Sequence, residues 1–158
     1  MNPNTLIVVA DSARARLFQI EETDHPRAPV RLRETESLVH PDARTKEGAH
    51  YEGSFPSAVG NSATGQSHTL NDHRGAHEAE DLRRFARDVA QSVARVLKEQ
   101  ASSPVLVVAT HALHAVLDSE LGRALPRDAR VRSEIAELSE LTPSELLGEL
   151  EHRRLLQP

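Results

Sequence analysis

Asp11 stands directly after the apolar run Leu6 to Ala10, and Glu78, Glu80 and Asp81 gather near the start of a later amphipathic stretch. Carboxylates converging from a strand end and a helix are what a two-metal nuclease uses to hold divalent cations against a phosphodiester. The same chemistry asks for a carboxylate after the fourth strand, where Ala109-Thr110-His111 supplies none. These residues also have structural uses: Asp11 suits a turn, and the three later acids complement the positive end of a helix. His73 with His77, and His111 with His114, have the spacing that puts two ligands on one helix face, so they are the candidates for a metal. No third ligand is fixed beside either pair, and no metal or cofactor is expected. Arg84, Arg87, Arg95 and Lys98 form a basic stripe at helical spacing, completed by Gln91. Such a stripe tracks phosphates or an acidic partner, or else is a solvated outer face.

The elements that must position these groups are bounded first by composition. A chain of 158 residues makes one domain, 1–158, with room for an ordinary core. Aromatics are only 3% of it, so the core must be Leu, Val, Ile and Ala, and stacking platforms for bases are disfavoured. A net charge of −5 argues against wholesale attraction to nucleic acid or anionic lipid. The lack of cysteine removes disulfides, thiol nucleophiles and thiolate metal sites. Neither an export signal nor a membrane-length apolar run is evident, so a cytoplasmic protein without membrane contact is expected.

Leu6 to Ala10 reads as a strand covered on both faces, Asp11-Ser12 as a turn, and Arg14 to Ile20 as an antiparallel return. Val30 to His40 reads as a third strand at a sheet edge, because charges stand on both of its faces. From 41 to 76 no apolar periodicity survives, and five of the seven glycines lie there, so a long, flexible Gly/His-rich loop is expected. From His77 to about Gln100, Leu82, Phe85, Ala86, Val89, Ala90, Val93, Ala94 and Leu97 recur at the spacing of a helix lying on a sheet. Val105 to Ala109 is a second fully apolar strand. A helix bearing Leu113, Val116, Leu117 and Leu121 follows. Val131, Ser133 and Ile135 alternate as in a strand, although Ile135, Leu138 and Leu141 also suit a helix. Thr142-Pro143-Ser144-Glu145 announces the last helix through a capping box with Pro in the first turn. The order βββ-loop-αβαβα predicts an α/β fold with one mixed five-stranded sheet, its two apolar strands adjacent, parallel and central. Replacement of Val107 by Asp should then prevent folding, and replacement of Arg87 by Asp on the outer face should be tolerated.

The opening Ile7-Val8-Val9-Ala10-Asp11-Ser12-Ala13-Arg14-Ala15-Arg16-Leu17-Phe18 resembles the start of the bacterial host-attachment protein family. The resemblance continues through Leu38-Val39-His40-Pro41 with Arg44, through Glu80 and Arg84-Phe85-Ala86, and through Val105 to Ala109 and Ala112-Leu113. It departs from the family pattern after the fourth strand, where Thr110-His111-Ala112-Leu113-His114 keeps a leucine and loses a glycine. The element order is similar to that of ribonuclease-H-like sheets and of the middle domain of archaeal and eukaryotic class 1 peptide-release factors. Thr64-Gly65-Gln66 resembles the Gly-Gly-Gln tripeptide of those factors, with Thr64 in place of the first glycine. The release-factor resemblance implies Gly65 and Gln66 as catalytic residues for peptidyl-tRNA hydrolysis, with ribosome or tRNA contact. The host-attachment resemblance implies no catalytic residue. It implies an interaction module that presents its loop to an unknown protein or ribonucleoprotein and acts on attachment indirectly; the basic stripe, read from its spacing, offers Arg84, Arg87, Arg95 and Lys98 as the RNA- or partner-binding residues. Oligomerisation of identical chains stays open.

Overall fold

The computed structural model describes residues 2–41, 67–100 and 103–157, with side chains from residue 75 onward in the middle segment. Its elements are β1 (Leu6–Ala10), β2 (Arg14–Glu22), β3 (Val30–Val39), α1 (Ser67–Glu99), β4 (Val105–Ala109), α2 (His111–Ala124), β5 (Val131–Ile135) and α3 (Pro143–His152). The strands form a single five-stranded mixed sheet in the order β3-β2-β1-β4-β5. The two apolar pentapeptides lie side by side and parallel, in register from Leu6 against Val105 to Ala10 against Ala109. β2 runs antiparallel to both β1 and β3, and β5 runs parallel to β4. β3 takes an edge, as its charged faces require.

Strand alternation divides the core into two layers. Leu6, Val8, Ala10, Leu17, Val105 and Val107 face α1 and α2, meeting Phe85, Val89, Val93, Leu113 and Leu117. Ile7, Val9, Phe18, Ile20, Leu106 and Val108 face the other way and are covered by Leu138, Leu146, Leu150, Leu155 and Leu156. Each such buried side chain contributes roughly 1.5–3 kcal/mol relative to exposure, so two covered faces explain why β1 and β4 sit inside the sheet.

Three boundaries differ from, or resolve, the sequence reading. α1 begins at Ser67 and not at His77, so 67–76 is helix where a loop is expected; residues 42–66 of that loop lie outside the described residues. Between Ser67 and Ala76 the sequence has Leu70 as its one large apolar residue, so hydrophobic periodicity cannot mark those turns. Val131–Ile135 is a strand, because β4 offers it a free parallel edge. α3 carries the expected capping box: the Thr142 hydroxyl accepts from Glu145 N–H, while the Glu145 carboxylate accepts from Thr142 N–H.

Candidate functional site

Periodicity turns one face of α1 down onto the sheet and leaves the basic stripe outside. Arg87, Gln91, Arg95 and Lys98 form one wall of a groove of about 520 Å³, and Glu120, Arg123 and Ala124 of α2 form the other. Ala90 and Ala94 keep its floor open by their small size. Glu120 is buried, with the guanidinium of Arg87 at 3.6 Å and that of Arg123 at 3.5 Å. A buried carboxylate is tolerable only beside such partners, so Glu120 holds both arginines at the groove. Arg95 reaches toward β3, where it donates to Glu36 at 2.6 Å, and Ser92 donates to the same carboxylate at 3.0 Å. Lys98 has no ion-pair partner among the described residues. The structure therefore brings Arg87, Arg95 and Lys98 together and leaves Arg84 exposed outside the groove lining. Glu120 and Arg123 join them unforeseen. Glu120 falls in phase with Leu113, Leu117 and Leu121, and a carboxylate in an apolar stripe is the signal that marks it.

The carboxyl end of β1 forms a polar corner. Asp11 Oδ1 accepts the backbone N–H groups of Ala13 at 2.6 Å and Arg14 at 2.8 Å, closing the turn into β2. Its Oδ2 accepts from the Ser139 hydroxyl. The Ser139 carbonyl in turn accepts from Arg14 at 2.5 Å and Arg16 at 3.0 Å. Arg16 also donates to the Leu141 carbonyl at 2.6 Å, forks onto Glu34 at 3.2 and 2.8 Å, and lies over the Phe18 ring at 4.8 Å. His40 accepts a place on the other side: its N–H donates to Ala13 O at 2.8 Å, and its ring stacks on Phe85 with centroids 5.1 Å apart. Asp11 is thus engaged in the turn and in pinning the segment that enters α3.

The remaining candidates are dispersed. His111 is exposed at the start of α2, and His114 faces Asp118 at 3.5 Å, whose other oxygen accepts from Ser133 at 2.6 Å. His77 is exposed on α1, and the side chain of His73 lies outside the described residues, as do Gly65 and Gln66. Among the described residues no three His, Asp or Glu side chains stand together as a metal site would need.

The family model described as protein required for attachment to host cells matches residues 6–150. The chain belongs to that family. The match carries the host-attachment resemblance and gives none to the release-factor one. No curated protein matches the chain. Most of the segments that carry the host-attachment resemblance meet at the polar corner: Asp11 to Arg16, His40, Phe85 and the strand end at Ala109, where Thr110 N–H donates to Ala10 O at 3.1 Å. In this host-attachment chain those residues tie strands to helices. Among the described residues no helix is long and apolar enough to cross a membrane.

Proposed function

We propose that this host-attachment family protein is a non-enzymatic, cytoplasmic interaction module that affects attachment indirectly, by docking an acidic protein or ribonucleoprotein partner in the groove between α1 and α2. The observation that carries this reading is the gathering of Arg87, Arg95, Lys98 and Arg123 on one open groove, against the single buried carboxylate of Glu120. The polar corner supports it from the other side, since Asp11, Ser139 and Arg16 are occupied by one another. The strand order β3-β2-β1-β4-β5, with only β2 reversed, supports a ribonuclease-H-like topology as the scaffold. Co-purification of the tagged protein from its native cells tests the proposal, with wild type beside Gln91→Glu/Lys98→Glu, both on the groove wall, and with or without ribonuclease. A partner held by wild type and lost from the double variant is expected, and ribonuclease sensitivity would make it a ribonucleoprotein. Undiminished capture by the variant would remove the groove from the interaction. Release of peptide from peptidyl-tRNA by wild type, lost in Gly65→Ala, would replace this reading with a hydrolytic one.

A further inference from the structure

We propose that two copies of this chain join edge to edge through β5, in an antiparallel pairing centred on Ser133 that continues the sheet from one copy into the next. Among the described residues β5 is the outermost strand on its side of the sheet. Val105 N–H donates to the Arg130 carbonyl at 2.8 Å and Ala136 N–H to the Ala109 carbonyl at 3.1 Å. Even-numbered residues of β5 therefore direct their main-chain groups at β4, and alternation turns the N–H and C=O of Val131, Ser133 and Ile135 outward. The chain beyond β5 does not return to cover them, since Ser139 is already bonded to Arg14 and Arg16 on the far side of β1.

An open edge alone names no occupant; the residues of this one do. Read antiparallel about Ser133, the strand Val131-Arg132-Ser133-Glu134-Ile135 complements itself. Arg132 falls opposite Glu134 of the second copy, Val131 opposite Ile135, and Ser133 opposite Ser133. The three outward-facing residues then form hydrogen-bonded pairs, about six main-chain bonds in all, and the charged residues form the closer, non-bonded pairs. Arg132 and Glu134 already lie on one face at 3.3 Å within a single strand, so the pairing lets the two intrastrand contacts of the separate copies be exchanged for two cross-strand ones.

Burial points the same way. Val131 and Ile135 are 39% and 51% exposed, and among the described residues only Val39 is another large apolar side chain so exposed. Both lie on the α2 face, next to a groove of about 370 Å³ lined by Leu121, Gly122, Leu125 and Val131. Ile135 of the second copy, opposite Val131, would enter that groove. The other sheet edge is built differently, with Arg31, Arg33, Glu34 and Glu36 along β3 guarding it. β5 carries no Lys or Pro, and its only charges are self-matching.

Sedimentation equilibrium of the full chain over a wide concentration range tests this, with circular dichroism confirming that each variant is folded. The wild type should approach twice its 17.4 kDa mass. Arg132→Glu and Glu134→Arg should each weaken self-association by about tenfold or more, since each sets like charges opposite one another twice. An equimolar mixture of the two variants should recover the dimer, because every cross-strand pair is then of opposite sign. A monomeric wild type, variants as tightly dimeric as wild type, or a mixture that fails to reassociate would each overturn the proposal. Hydrogen exchange on wild type alone gives a second reading. The amides of Val131, Ser133 and Ile135 should gain protection with concentration while those of Arg132 and Glu134 do not; no such difference would count against the pairing.

Discussion

Arg16 shows how one side chain can join three parts of a fold. It stands on β2 in phase with Phe18 and Ile20, on the face that packs under α3, and it is 9% exposed. Its guanidinium meets two carbonyls of the segment before α3 and both oxygens of Glu34. Arg16→Ala should therefore cost about 2–4 kcal/mol, read as a lower urea midpoint with unchanged slope, because the Leu141 carbonyl and the Glu34 carboxylate lose this donor together and the Ser139 carbonyl is left with Arg14 alone. Arg16→Lys should recover only part of it, since an ammonium lacks the fork that spans Glu34. At the start of α3, the Glu145 carboxylate accepts from Thr142 N–H at 2.9 Å and from the Thr142 hydroxyl at 2.8 Å. The backbone bond first, and the hydroxyl second, hold its pKa below the ordinary 4.5. A depressed folded pKa means that the contribution is fully present above the unfolded value and fades as pH falls below about 4.5 and through the folded one. Carboxyl NMR titration should find Glu145 low in wild type and partly restored toward its ordinary value in Thr142→Ala. The same substitution should lower stability near neutral pH by about 1 kcal/mol through loss of the cap.

At the scale of elements, α3 and the groove helices behave differently under substitution. Gly148 lies within α3, and a methyl group added there meets nothing within 4 Å. Gly148→Ala should stabilise the protein by about 0.5–1 kcal/mol, seen as a higher melting temperature, because glycine loses more backbone freedom on entering a helix. Arg87 on α1 invites the opposite conclusion from the one its outer-face position suggests. Its spacing promises tolerance of Arg87→Asp, yet the structure sets it against buried Glu120. Reversal leaves that carboxylate with Arg123 and a new like charge. A loss of about 1–2 kcal/mol is expected, moderated by the half-exposed position of Arg87, and thermal unfolding would reveal it. The apolar stripe of α1 was readable from spacing of three and four, whereas its start at Ser67 was not, because the sequence from Ser67 to Ala76 carries no repeating apolar residues to mark it.

The molecule as a whole depends on β1 and β4 being covered on both faces at once. Val107 is fully buried among residues facing α1 and α2. Val107→Asp should abolish soluble expression, because the new charge would be buried against the apolar side chains of that layer. What composition and periodicity made legible was this centre: two pentapeptides with no polar phase have no place in a sheet except the inside, in parallel neighbourhood. The capping box of α3 was equally plain, since a cap is local and its residues lie three apart. Contacts between elements far apart in the chain were not legible. Ser139 is 128 residues from Asp11, and no spacing rule relates them. Glu120 and Arg123 meet Arg87 only because two helices lie side by side on one face of the sheet. Local rules act through neighbours in sequence, so they name the elements; the packing of those elements chooses which charges share a groove, which carboxylate is buried and which strand edge is left open.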